Sequence, residues 1–158
     1  MAIITNEWTG TEYFKVNDFN HLECYVGNAK QSLYYYCFVM GFTPFAYKGP
    51  ETGCKEYVSY VLKKNQIYIV LTTPLTSNHP ASNWLLLHGD GVYDIAFNVS
   101  GSKDAYNSCL SRGAESSNKF NSFKDKYGKY DIASIKTYGD VIHSFIDNSD
   151  YEGLWAPG

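Results

Sequence analysis

Three side chains in this 158-residue chain have the types needed for shared chemistry: His21, Asp94 and His143. Each lies in a short run that reads as a β-strand. Two imidazoles and one carboxylate make the donor set of a facial triad, which holds an octahedral metal and leaves positions open. Glu23 shares a face with His21 by strand alternation, either as a partner orienting the imidazole or as a polar residue lining a groove. Strand parity decides whether the third member joins: one residue out of step, Ser144 points inward instead of His143. The matching strand of the first half, residues 67–71, supplies no ligand. A strand histidine satisfied by a carbonyl is the blander reading of His143, so His21, Asp94 and His143 stand as metal candidates only, with no catalytic or cofactor-binding residue assigned. His79, beside Pro80, reads as exposed, and His88, before Gly89-Asp90-Gly91, as a residue that pins a turn. The chain has no G-x-S-x-G, no phosphate loop and no dinucleotide glycine fingerprint.

The elements that must position these residues fall into two similar halves. In residues 88–97 a glycine-rich turn launches a strand whose alternation sets Val92, Asp94 and Ala96 on one face and Tyr93, Ile95 and Phe97 on the other. Residues 19–26 repeat the pattern. Sliding one over the other without gaps pairs His21 with Asp94, Leu22 with Ile95 and Val26 with Val99, an offset of 73 residues (94 less 21). Gly41 and Gly113, each ending a helical pattern, then fall within one position. Strand, helix and three further strands fill that length, which predicts an α+β fold of two tandem βαβββ units forming a cupped mixed sheet. The expected division is an arm over 1–18 and one domain over 19–158, with units at 19–72 and 92–147, a link at 73–91 and a tail at 148–158.

Local signals fill in the units. Asn28 caps a helix, with Gln31 in capping-box position, that buries Leu33, Tyr36, Cys37 and Met40 and leaves Tyr34 and Tyr35 off the stripe. Pro44 marks an edge strand, and residues 66–71 read as a central one. The link ends in a short apolar stretch at 84–87, read as a turn or a short helix. Ser100 or Ser102 caps the second helix, which buries Ala105, Tyr106, Cys109 and Leu110. Residues 116–125 are polar and read as a flexible loop, 130–137 and 141–147 as paired strands, and Trp155 as docked.

Composition narrows the function. With 13 basic and 16 acidic residues the net charge is −3, which gives no field for nucleic acid. No apolar run approaches the roughly 20 residues needed to cross a bilayer, and residues 1–10 lack the pattern of a secretion signal. Cys24, Cys37, Cys54 and Cys109 form no metal spacing, which favours reduced thiols in a cytoplasmic protein.

Several short motifs agree with one family at once: residues 26–31, Tyr35-Tyr36-Cys37, Met40-Gly41-Phe42, residues 46–49 with Glu51-Thr52-Gly53, residues 88–97, and residues 136–140 with His143. Together they closely resemble the amino-terminal domain of animal-type 4-hydroxyphenylpyruvate dioxygenase, from about Phe19 to Gly158. The resemblance implies a vicinal-oxygen-chelate fold, a parent that turns 4-hydroxyphenylpyruvate and O2 into homogentisate and CO2 in tyrosine breakdown, and Fe(II) held by a carboxy-terminal domain. It further implies that this domain is non-catalytic, needs no cofactor of its own, and supports a homo-oligomer or a catalytic carboxy-terminal domain. His21 and Asp94 fall at the positions equivalent to the two histidine ligands of the catalytic half, and Ser144 or His143 near the glutamate. Pro50 and Cys54 depart from the usual run around Glu51, and the link has lost most of its charge, as in a divergent paralogue or a short isoform.

Overall fold

A computed structural model describes residues 12–157. Eight strands and three helices follow one another as β1 (Val16–Tyr25), α1 (Ala29–Phe38), β2 (Thr43–Lys48), β3 (Tyr57–Lys64), β4 (Ile67–Pro74), α2 (Pro80–His88), β5 (Gly91–Val99), α3 (Ser102–Ser111), β6 (Ser116–Asp125), β7 (Gly128–Lys136) and β8 (Ile142–Asp147). All eight strands form one mixed sheet in the order β2-β3-β4-β1-β5-β8-β7-β6. That order is a palindrome of two βαβββ units. β1 pairs in parallel with β4, β5 in parallel with β8, and the two units meet where β1 and β5 run antiparallel, with Leu22 opposite Ile95 and Glu23 opposite Asp94.

Alternation sorts the side chains to two faces. On one, α1 covers Cys24, Leu62, Ile69 and Leu71, and α3 covers Val99, Ala133 and Phe145. Leu62 and Leu71 are fully excluded from water, each worth about 1.5–3 kcal/mol of burial. The other face is the concave one, and it carries the polar residues.

Most local expectations hold. Asn28 accepts the Gln31 N–H at 3.0 Å, Leu33, Tyr36 and Cys37 pack inward, and Tyr34 and Tyr35 stay exposed. Gly41 and Gly113 both take the left-handed conformation that stops their helices. β2, with Pro44, is indeed an edge, and β4 lies inside the sheet.

Some expectations need correcting. Met40 lies past the end of α1 and is exposed. Neither Ser100 nor Ser102 caps α3: Gly101 holds that position, and the Ser102 hydroxyl donates instead to the Phe145 carbonyl at 2.8 Å. The apolar stretch at 84–87 is helical, and its helix is longer than expected, Pro80–His88. Residues 116–125 are not a loop but strand β6, held by β7 from Ser116 opposite Ile135 to Asp125 opposite Gly128. The hairpin closes at Gly128, whose φ of +122° and closeness to the Asp150 carbonyl leave no room for a Cβ.

The aromatic start of the described chain lies over α3: the Arg112 guanidinium sits 4.0 Å from the Tyr13 ring, and Phe14 packs edge-on against Phe145. The rest of the expected arm, residues 1–11 with Trp8, lies outside the described residues. The four cysteines are unpaired. No helix among the described residues is long and apolar enough to cross a membrane.

Candidate functional site

Two features occupy the concave face. The first is a polar chain that crosses six strands. In the first unit, the Thr72 hydroxyl on β4 donates to Glu23 on β1 at 2.6 Å, and Ser59 on β3 lies 3.0 Å from Thr72. In the second, Ser144 on β8 donates both its hydroxyl and its backbone N–H to Asp94 on β5, and Ser134 on β7 lies 2.8 Å from Ser144. A hydroxyl has one proton to give. Because Thr72 and Ser144 spend theirs on carboxylates, Ser59 and Ser134 are the donors one strand further out.

The chain meets at Glu23 and Asp94, which are direct register partners across the seam. Burial raises both carboxyl groups. Asp94, 5% exposed, is pushed up to about 7, with the Ser144 hydroxyl pulling the other way and the neighbouring Glu23 charge adding to the rise. Glu23 is raised by burial and drawn back by Thr72. Asp94 therefore has Glu23 as its counterpart by hydrogen bonding, two residues from the His21 that an ungapped alignment assigns. The slip comes from the segment after the acid: α1 starts six positions beyond Glu23 (29 less 23) and α3 eight beyond Asp94 (102 less 94), so an ungapped offset of 73 fits the helix starts and misses the acids by two.

The expected metal candidates do not assemble. His143 faces the helices, its ring edge-on to Phe97 at 5.3 Å and its Nδ1 3.1 Å from the Ile142 carbonyl. The inward position belongs to Ser144, the alternative that strand parity left open. Among the described residues no three His, Cys, Asp or Glu side chains come together as a metal site. The Fe(II) implied by the resemblance does not fit this donor set, since Ser144 gives both its protons to Asp94 and occupies the carboxylate that a metal would need.

His21 belongs to the second feature, a cleft of about 930 Å³ at one end of the concave face. Phe45, Tyr68 and Trp155 wall it, with ring centroids 5.2–6.3 Å apart, and Trp155 also meets His21 edge-on at 5.3 Å. The docked tail thus forms part of the cleft. Lys63 reaches in over Tyr68 and Phe45, 4.9 and 5.3 Å from the ring centres. Burial lowers His21 to about 4, so its ring is neutral near pH 7.

The remaining histidines are structural. His88 bonds Asp140 at 2.8 Å, tying the end of α2 to the β7–β8 turn as its glycine setting suggested. His79 is not a loose surface residue: it is half-buried, accepts the Ala81 N–H at 3.2 Å as the cap of α2, and its ring packs on Tyr57. Phe45, Lys63 and Tyr68 escaped the sequence reading because no spacing marks them; only the turn of β2 over β3 and β4 gathers them.

No protein-family model matches the chain. By sequence it is 39% identical over 142 residues to 4-hydroxyphenylpyruvate dioxygenase of Dictyostelium discoideum, covering 89% of this chain and 39% of that protein. It is 36% identical over 160 residues to the dioxygenase of the same name from Danio rerio, covering 100% and 40%. The chain therefore spans about two fifths of the length of the curated relatives it matches. A variant of 4-hydroxymandelate synthase from Streptomyces coelicolor superposes with a TM-score of 0.78 at 24% identity, over 84% of this chain and 38% of that one. Methylmalonyl-CoA epimerase from Mycobacterium tuberculosis superposes at 0.69 with 15% identity, over 88% and 93%. The likeness to 4-hydroxyphenylpyruvate dioxygenases drawn from the motifs is thus shown by sequence, and the architecture is the vicinal-oxygen-chelate fold.

Proposed function

We propose, from that likeness and from the geometry of the concave face, that this chain is the non-catalytic vicinal-oxygen-chelate domain of a 4-hydroxyphenylpyruvate dioxygenase-type protein of the cytoplasm. Its role is structural: to hold a catalytic carboxy-terminal domain, a second copy of itself, or both, in a protein whose reaction converts 4-hydroxyphenylpyruvate to homogentisate with Fe(II). The division into a single domain with units at 19–72 and 92–147 belongs to the same proposal. One observation carries it. Where the resemblance places a third iron ligand, Ser144 stands instead and closes a hydrogen-bonded chain with Asp94 and Ser134, while His143 faces the helices.

A support needs surface to lean on, and α1 has it: Tyr34, Phe38 and Val39 are 63%, 74% and 64% exposed on one helix. Oxygen uptake by this chain with 4-hydroxyphenylpyruvate and added Fe(II) tests the reading. No turnover is expected, and turnover by the chain alone refutes it. Phe38→Glu is expected to shift the sedimentation of any self-associated form toward the monomer without lowering the melting temperature.

A further inference from the structure

Helix α2 is held at its two ends by histidines that answer differently to a proton. We propose that α2 is a pH-sensitive lid over one end of the concave face, hinged at its carboxy-terminal end by His88 and released at its amino-terminal end when His79 takes a proton. The inference does not depend on what the domain supports.

The start of α2 has one donor that relies on one side chain. Pro80, at the first helical position, has no N–H, and the Ser82 N–H goes to the His79 carbonyl at 2.9 Å. That leaves the Ala81 N–H, which donates to His79 Nδ1 at 3.2 Å. The bond exists only while Nδ1 carries no hydrogen. Ala81 is wholly buried, so water does not replace the lost acceptor while the helix is seated. A protonated His79 sets N–H against N–H and puts a positive charge at the positive end of the helix. Lifting the first turn relieves both.

The groups that face the ring come from three strands and their flanks. Tyr57 on β3 packs on it at 5.0 Å, and Tyr25 on β1 meets it edge-on at 6.3 Å. The Glu56 carboxylate acts on it from just before β3, and Lys48 on β2 lies over the Tyr57 ring, 5.9 Å from its centre. Burial lowers His79 below its ordinary value near 6.5, and Glu56 draws it back. The cap is therefore kept above pH 6.5 and lost as pH falls below it. Glu56 is then the carboxylate to which the charged ring can turn.

The other end keeps its tie. The Asp140 carboxylate only accepts, so His88 Nε2 carries the hydrogen in their 2.8 Å bond, and that donor is present in the neutral ring and in the charged one. Beneath the lid lie Tyr25 and Tyr93, stacked with centroids 4.0 Å apart, and Trp84 meets both edge-on. Tyr25 is two residues beyond Glu23 on the same face and is the register partner of Thr72, whose hydroxyl serves Glu23. Opening thus brings water to one end of the polar chain. Trp84 favours it, because its buried indole N–H has no partner in the closed position and gains one from water.

Amide hydrogen exchange of the whole chain at pH 7.5 and pH 5, compared as protection factors so that the intrinsic rate cancels, reads the lid residue by residue. Protection from Ala81 to Leu85 is expected to fall roughly ten-fold at pH 5, the loss of one cap with its donor left unpaired. Gly89, whose N–H donates to the Leu85 carbonyl, and strands β4 and β7 are expected to keep theirs. His79→Asn, an acceptor that does not titrate, is expected to hold the pH 7.5 protection at both values, and His79→Ala to show the lower protection at both. Asp140→Ala is expected to let Gly89 follow the first turn at pH 5. Protection of 81–85 that does not change with pH overturns the proposal. So does the same fall in His79→Asn, or a fall shared equally by β4 and β7.

Discussion

The two units place a carboxylate at the same point of the sheet and treat it differently. In the first, Glu23 accepts one hydroxyl from Thr72 and stays half-buried. In the second, the side chain is one methylene shorter, so the Asp94 carboxylate lies close enough to β8 to take the Ser144 N–H as well as its hydroxyl, and it is buried. A duplicated frame keeps the hydroxyl on the neighbouring strand and lets the acid vary. The lesson is that burial raises both acids and the neighbouring hydroxyls draw both back: Asp94 stands at about 7 with two donors from Ser144, and Glu23 is shifted in the same direction with one from Thr72.

The largest effect on this asymmetry is expected from pH. A carboxyl group raised in the folded protein stabilises it below its unfolded value near 4, and that contribution is lost as pH climbs through about 7. The full difference is worth up to about 4 kcal/mol. His21 works in the opposite sense: lowered to about 4, it favours the fold above 6.5 and loses that as pH falls. Asp94→Asn, followed by urea unfolding between pH 4 and 8, is expected to gain stability relative to the parent at pH 8 and to leave a shallower curve set by two opposed groups, the raised Glu23 and the lowered His21. Unchanged pH dependence would mean that Asp94 titrates normally.

Next comes the hydroxyl. Ser144→Ala removes one of two donors to a buried carboxylate and is expected to cost about 2–3 kcal/mol, read as a lower urea midpoint. Thr72→Val, the matching change in the first unit, removes the hydroxyl bond to Glu23 but no backbone donor and is expected to cost about 1 kcal/mol. Equal costs would dissolve the contrast between the units. The smallest difference is at the helix starts. Asn28→Ala is expected to cost about 1 kcal/mol at α1, whereas α3 begins at Gly101 with no capping side chain to remove.

The frame was readable because its signals are periodic. Helical spacing of Leu33, Tyr36 and Cys37, the capping Asn28 and the left-handed Gly41 and Gly113 are local, and they sufficed to expose the duplication. The site was less readable for three separate reasons. The second unit carries two more residues between its acid and its helix than the first, so the offset that fits the helix starts pairs Asp94 with His21 instead of Glu23. A single step of strand parity exchanged His143 for Ser144. The cleft needs Phe45, Lys63, Tyr68 and Trp155 from segments up to 110 residues apart (155 less 45), and nothing in one segment announces the others.

β6 was mistaken for a loop because it is built of Ser, Asn and Lys, and that same composition has a consequence for the protein in the cell. The last strand of a sheet offers unpaired backbone groups to any other chain, and a hydrophobic one would template fibres. Lysines at 119 and 124, with Asp125 beside them, make stacking of one copy on the next electrostatically unfavourable, while Pro44 removes a donor at the opposite margin. Edge-to-edge pairing of copies is thus opposed at both borders by residues outside the buried core, with Phe123 the one large apolar side chain that β6 leaves exposed.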